Sequence, residues 1–322
     1  MPTVSEILSY HNHLLDRGIL RYHLLPSDAL GIYKGMYIYT PRNISLQHRL
    51  PVLYLFRGHE REWVNLYEDS SRTTTVIVDI DWLISNKKLR PLIVVMPGLN
   101  SADNTIPSLG INMAGTWPRE IFGLGTGRFW DFLTKELFPF VERKFPETQR
   151  GLRLAAGFSL GGYTVSNLVT GFLEYFQHAG MYDGTFMWPL HMDPRYGAFP
   201  CSDRLWCEMS IFDAALGNPR KKEALSFWNP SDRIITASPN YLKRLQKTQF
   251  WIASAAYAPG ASNYTRSQMF AYLLEKYHLP VKLKRIPLHP HALHNWHWAD
   301  RFVLQFLRRI LRPKAQKKFS YR

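Results

Sequence analysis

Cysteine is nearly missing from this chain. Cys201 and Cys207 are its two cysteines among 322 residues, too few for a disulfide framework; they fit a reducing compartment and leave one local bridge as the sole pairing open to them. Long apolar runs are missing as well. Stretches such as 52–56 and 92–96 stop far short of the roughly 20 residues that a membrane-spanning helix needs, so no span is expected. The opening MPTVSEILSYHNHLL has neither the basic start nor the apolar stretch and cleavage site of a secretory signal, and a cytoplasmic location is the expectation. Acidic residues are outnumbered, 25 against 40 basic ones, for a net charge of +15. Seven of the basic residues fall between Arg308 and Arg322 with no acidic one among them. Such a tail attracts polyanions, yet no nucleic-acid-binding signature accompanies it and a solvated, frayed terminus is the simpler reading. No nucleic-acid partner is expected.

What the chain does have is material for a core. Hydrophobic residues make up 46% and aromatics 14%, which excludes a disordered or collagen-like protein. A length of 322 exceeds the usual domain size of about 150 residues, but α/β domains often run past about 250, and one domain over 1–322 is expected. The stretch from about 182 to 240, rich in Pro, Trp and Asp, is the least periodic part and reads as an insertion or cap.

Order along the chain suggests alternation. Residues 4–16 have helical apolar spacing, and 18–41 read as two strands around a Pro-Ser-Asp turn. The runs at 51–56 and 91–97 are almost continuously apolar, as in parallel strands buried on both faces. A short crossover helix fits between them. Helical spacing recurs over 129–144, QFWIASAAY near Gln249 and VKLKRIP near Val281 read as later strands with a helix between, and DRFVLQFLRRIL closes the chain as an amphipathic helix. Strands alternating with helices predict an α/β fold with a mostly parallel central sheet and helices on both faces. Sites in such sheets lie at the carboxyl ends of the strands.

One motif carries chemistry. Gly157-Phe158-Ser159-Leu160-Gly161, followed by Gly162, lies between an apolar strand and a helix pattern, the setting of a nucleophile elbow. A serine in that turn projects its hydroxyl above the sheet, with glycines around it where side chains would collide with backbone. The N-terminus of the following helix favours negative charge beside it. A serine hydroxyl needs a base, and in the hydrolase order of nucleophile, acid, histidine the base follows the last strand. His289, His291, His294 and His297 all lie there, and spacing does not choose among them.

These motifs resemble the "putative esterase" family of α/β-hydrolases, which includes esterase D-like enzymes, enterochelin esterase-like proteins, feruloyl esterases and mycolyltransferases. The resemblance runs from about residue 31 to 311. PVLYLFRGHEREW at 51–63 is similar to the family's strand with a His-Gly pair and a following tryptophan, LIVVMPG to its Val-Met-Pro strand, and FWDFLTKELFPFVERKF to its helix before the elbow. His294-Asn295-Trp296 matches the end motif, which implies His294 as the base with His297 behind it. Leu160 and the neighbourhood of His59 are implied as oxyanion donors. Among the aromatics, Trp296 and Phe158 are the candidate pocket residues. Trp188, Tyr264 and Trp298 are further aromatics that fit either a pocket or the core.

Two positions depart from the family. Arg57 stands where it usually has histidine. The catalytic acid usually follows the strand that here reads QFWIASAA, and the next residues, YAPGASNYTRSQ, contain no carboxylate. Asp183 in MYDG is the leading replacement, since an acid one strand away still reaches the same imidazole; an Asp-Gly turn is its other reading. Asn263, Asp193, Asp203 and Asp213 stay open. The histidine spacings match no common zinc pattern and no phosphate-cradling loop is present, so neither metal nor cofactor is expected. The expectation is a serine esterase working on a small-molecule carboxylic ester through an acyl-enzyme on Ser159, with an acyltransferase or a non-catalytic hydrolase-fold protein as the alternatives.

Overall fold

The computed structural model describes residues 2–42, 49–148, 151–190 and 203–313. Its centre is an eight-stranded sheet: β1 (Gly18–Ser27), β2 (Ile32–Pro41), β3 (Val52–Phe56), β4 (Ile93–Pro97), β5 (Arg153–Phe158), β6 (His178–Tyr182), β7 (Gln249–Ala253) and β8 (Val281–Arg285). Their spatial order is β1-β2-β4-β3-β5-β6-β7-β8. The first two form the expected hairpin and join β4 antiparallel; every pairing from β4 to β8 is parallel.

Alternation along the strands fills two layers. Tyr54, Phe56, Val95 and Ala155 face the helices spanning 129–144, Leu160–Gly171 and Tyr264–Lys276; Leu53, Leu55, Val94 and Ala156 face the helices Val4–Leu14, Val76–Ser85 and Trp296–Ile310. Covering both faces is what allows such short, wholly apolar strands. The 129–144 helix appears as expected, with a π-helical stretch, Phe132–Leu137, just before Pro139.

Chain order reverses at β3, which has β4 on one side and β5 on the other, and this opens a crevice above the carboxyl ends of β3 and β5. Register brings those ends level. Phe56 pairs with Gly157, Phe158 with Tyr182, and Tyr182 with Ala253, so the residues that follow each strand emerge along one edge.

The described residues of the aperiodic stretch form a series of short helices, among them Arg204–Glu208, Lys222–Phe227 and Pro230–Ile235. They share a small apolar cluster with Met187, Trp206, Phe212 and Trp228, into which Tyr163 of the helix Leu160–Gly171 inserts. The Tyr163 hydroxyl donates to the Trp228 carbonyl at 2.8 Å. Each helix there is too short to show a period, which is why the sequence pattern faded. Cys207 is disulfide-bonded, which takes up the one local bridge that the sequence left open; Cys201 and Asp193 lie outside the described residues. No helix among the described residues is long and apolar enough to cross a membrane.

Candidate active site

Ser159 occupies the turn between β5 and the helix Leu160–Gly171 with φ 56° and ψ −119°, a conformation that non-glycine residues adopt only where surroundings enforce it. Three close approaches do so. A Cβ on Gly157 would lie 2.1 Å from the Gly161 carbonyl oxygen, one on Gly161 would lie 1.9 Å from the Phe56 carbonyl oxygen, and one on Gly162 would lie 2.6 Å from the Cα of Gly184. The Ser159 amide donates to the Tyr182 carbonyl at 3.2 Å, and its carbonyl accepts from Thr185 at 3.0 Å. The serine is therefore fixed to β6 on both sides. Its hydroxyl donates to no protein acceptor among the described residues, and neither does the amide of Leu160 at the first position of the helix, one of the orphan donors of a helix start.

Asp183 follows β6 directly and is fully buried, at φ 44°. Its Oδ1 accepts from the Ala255 amide at 3.1 Å and its Oδ2 from the Asn263 amide at 3.1 Å. The Asn263 side chain also donates to the Asp183 carbonyl at 3.0 Å. Asn263 thus holds Asp183 and does not orient the histidine itself. The remaining partner is His294, whose Nδ1 donates to Oδ2 of Asp183 at 2.5 Å.

His294 sits on an arm, 286–295, laid along the end of β7. Leu288 donates to the Ser254 carbonyl at 2.8 Å, Ala256 to the Ala292 carbonyl at 2.7 Å, and the Tyr182 hydroxyl to the Leu293 carbonyl at 2.6 Å. Asn295 then caps the helix Trp296–Ile310 by accepting from the Trp298 amide. The imidazole is 28% exposed and lies over Phe158, ring centres 4.7 Å apart. Its Nε2 has no protein hydrogen-bond partner among the described residues.

The other candidates fall elsewhere. The His297 ring is directed at Arg301, 3.4 Å away, and His289 stacks on Trp298. Asp203 forms a two-point ion pair with Arg266 at 2.6 and 2.8 Å, and Asp213 pairs with Arg220. Trp296 and Phe158, expected in a substrate pocket, are 5% and 3% exposed. They are a floor beneath the imidazole: Trp296 meets Phe158 and Trp63 edge to face, with ring centres 5.2 and 5.0 Å apart.

The backbone amide of His59 is engaged in this structure. Its N–H already donates to Oε2 of Glu62 at 2.7 Å, while the Glu62 amide donates back to the His59 carbonyl at 3.2 Å. One N–H has one strong acceptor, so this amide is committed unless Glu62 releases it. Burial pushes the Glu62 carboxyl up, against the opposing pull of the Arg57 charge. Arg57, the family departure, places its guanidinium 5.6 Å from the centre of the Phe158 ring. The loop is clamped from the other side by Leu99 and Asn100, whose amides donate to the Gly58 carbonyl at 2.6 and 3.1 Å.

The family described as "Putative esterase" matches residues 27–249. The chain belongs to this esterase family. That match takes in Ser159 and Asp183 and ends before His294. Among solved structures, the chain is similar to a ferulic acid esterase at 15% identity and TM-score 0.65, over 92% of this chain and 98% of that one. It is also similar to the fluorophosphonate-binding serine hydrolase FphF of Staphylococcus aureus, at 15% identity and TM-score 0.63 over 91% and 98%. An S-formylglutathione hydrolase from Agrobacterium tumefaciens matches at 13% identity and TM-score 0.60 over 91% and 96%. Likeness at these identities establishes the α/β-hydrolase fold of an esterase family member and leaves its substrate to the site.

Glu62, Arg72 and Asp300, which organise the loop beside the site, were not legible in the sequence. Glu62 does follow His59 at the spacing of a reciprocal side-chain cap, which is the one local signal available.

Proposed function

We propose that the protein is a serine esterase in which Ser159 is the nucleophile, His294 the general base and acid, and Asp183 the carboxylate that orients and stabilises the imidazolium. The observation that carries this reading is the 2.5 Å contact between His294 Nδ1 and Asp183 Oδ2, beside an elbow serine whose backbone is pinned in its strained turn. With Nδ1 committed, Nε2 is the nitrogen left to receive a proton.

The Ser159 hydroxyl attacks the ester carbonyl as its proton passes to His294. The tetrahedral oxyanion is held by the Leu160 amide, and by the His59 amide once Glu62 gives way; each such donor is worth roughly 3 kcal/mol in other enzymes. Collapse expels the alcohol, which takes the proton from His294 and leaves an acyl-enzyme. Water activated by the same imidazole then releases the acid. A buried carboxylate on the histidine supports this reading over a non-catalytic hydrolase fold.

Intact-mass analysis after incubation with a fluorophosphonate tests the reading. One adduct is expected on the wild type, none on Ser159→Ala, and a greatly slowed reaction in His294→Ala and Asp183→Ala. A wild type that stays unlabelled while a reference serine esterase reacts would sink it.

A further inference from the structure

Arg72 lies outside the triad, and its side chain is completely buried. Its guanidinium has two sets of partners. On one side Nε and Nη2 bind the two carboxylate oxygens of Asp300 at 2.8 and 2.9 Å, in the helix Trp296–Ile310 that begins two residues after His294. On the other side Nη1 donates to the carbonyls of Glu62 and Asn65 at 2.6 and 2.9 Å, in the loop that carries His59. The guanidinium also lies over Trp296, 4.2 Å from the ring centre.

Neighbouring residues tie the same two elements. Asp69 accepts from the Trp296 amide at 2.9 Å and Ser71 from the His297 amide at 3.1 Å, so the strap 69–72 caps the helix that follows the histidine. Only a planar fork reaches two carbonyls and a carboxylate together; an ammonium is a single point charge and spans one side at a time.

We propose that Arg72 is a positioning residue that sets the spacing between the amide-bearing loop 57–65 and the His294 arm, and so governs turnover without touching the ester. The inference rests on the esterase reading above. Displacement of a catalytic group by about 1 Å costs on the order of a hundredfold in rate, and Arg72 joins the two elements whose relative placement matters most.

The experiment uses the full chain and a p-nitrophenyl ester, with kcat and KM expressed per site titrated by fluorophosphonate, alongside a thermal melt. Arg72→Lys is expected to lose about a hundredfold in kcat with KM within about threefold. Asp300→Asn, which keeps an acceptor but loses the charge, should lose less. Tens of millimolar guanidinium should restore Arg72→Ala at least about fivefold while leaving wild type and Ser159→Ala unchanged. If Arg72→Ala does not fold, Arg72→Lys and Asp300→Asn decide the matter. A lowered melting temperature with kcat per site within about threefold of wild type would make Arg72 merely structural and overturn the proposal. So would a change confined to KM. A wild type that neither labels nor turns over ester would instead remove the esterase reading, and this proposal with it.

Discussion

Asp183 and His294 are 111 residues apart in the chain and 2.5 Å apart in space. The carboxylate comes from the end of β6 and the imidazole from the arm after β8, with β7 between them. Asp183 crosses that gap because its backbone amide and its Oδ1 are both anchored on the end of β7, through the Ala253 carbonyl at 2.8 Å and the Ala255 amide at 3.1 Å.

Asp183→Asn is expected to keep the fold and lose activity. The amide retains an oxygen acceptor for its neighbours but presents no charge to the imidazolium and favours the wrong tautomer, a change that costs about ten-thousandfold in a serine protease. Ester turnover checks this: kcat should fall on the order of a thousandfold or more with KM little changed. A loss under about tenfold would mean that Asp183 is not the working acid.

Gly161→Ala should break the elbow. The new Cβ would lie 1.9 Å from a backbone oxygen of β3, and neither backbone is free to move. A loss of at least about 3 kcal/mol is expected, comparable to severe overpacking, measured by urea unfolding. Gly260→Ala is the control: its φ is +71° but nothing lies within 4 Å of the added carbon, so only the left-handed backbone penalty of roughly 1 kcal/mol applies.

Acid should destabilise the protein through one buried and one half-buried histidine. Burial pushes the pKa of His11 down to about 4 and that of His178 down to about 4. Unfolding lets each imidazole bind a proton with a pKa near 6.5, so the unfolded state holds more protons between about pH 4 and 6.5. Stability therefore rises with pH across that window and is fully present above it. For His11, which bonds the Ile7 carbonyl at 2.8 Å and Thr75 Oγ1 at 2.9 Å, the contribution is about 3 kcal/mol. Unfolding curves of wild type and His11→Gln at pH 4.5 and 7.5 should differ in slope, and parallel behaviour would refute the assignment.

Local pattern and long-range contact divide what the sequence reveals here. β3, β4 and β5 announce themselves because strands covered on both faces must be apolar throughout, and the elbow does so because three backbone contacts admit only glycine. Asp183 was legible as the leading one of several carboxylates and no more, since a hydrogen bond across three strands leaves no spacing to find. Arg72 and Asp300, 228 residues apart, left none at all. Trp296 misled for a different reason: an aromatic beside a catalytic histidine suits a pocket and a core equally, and its neighbours Trp63 and Phe158 decide for the core.

The close approach of Gly162 to Gly184 has a mechanical consequence. With no side chain between them, the backbone bearing Ser159 and the backbone bearing Asp183 meet directly, and two more hydrogen bonds run from Ser159 to Tyr182 and Thr185. Serine and carboxylate thus ride on a single stiff body. In the proposed mechanism the third member, the His294 imidazole, belongs to a different body, the arm 286–295, whose own hydrogen bonds to the ends of β6 and β7 set its distance from the other two.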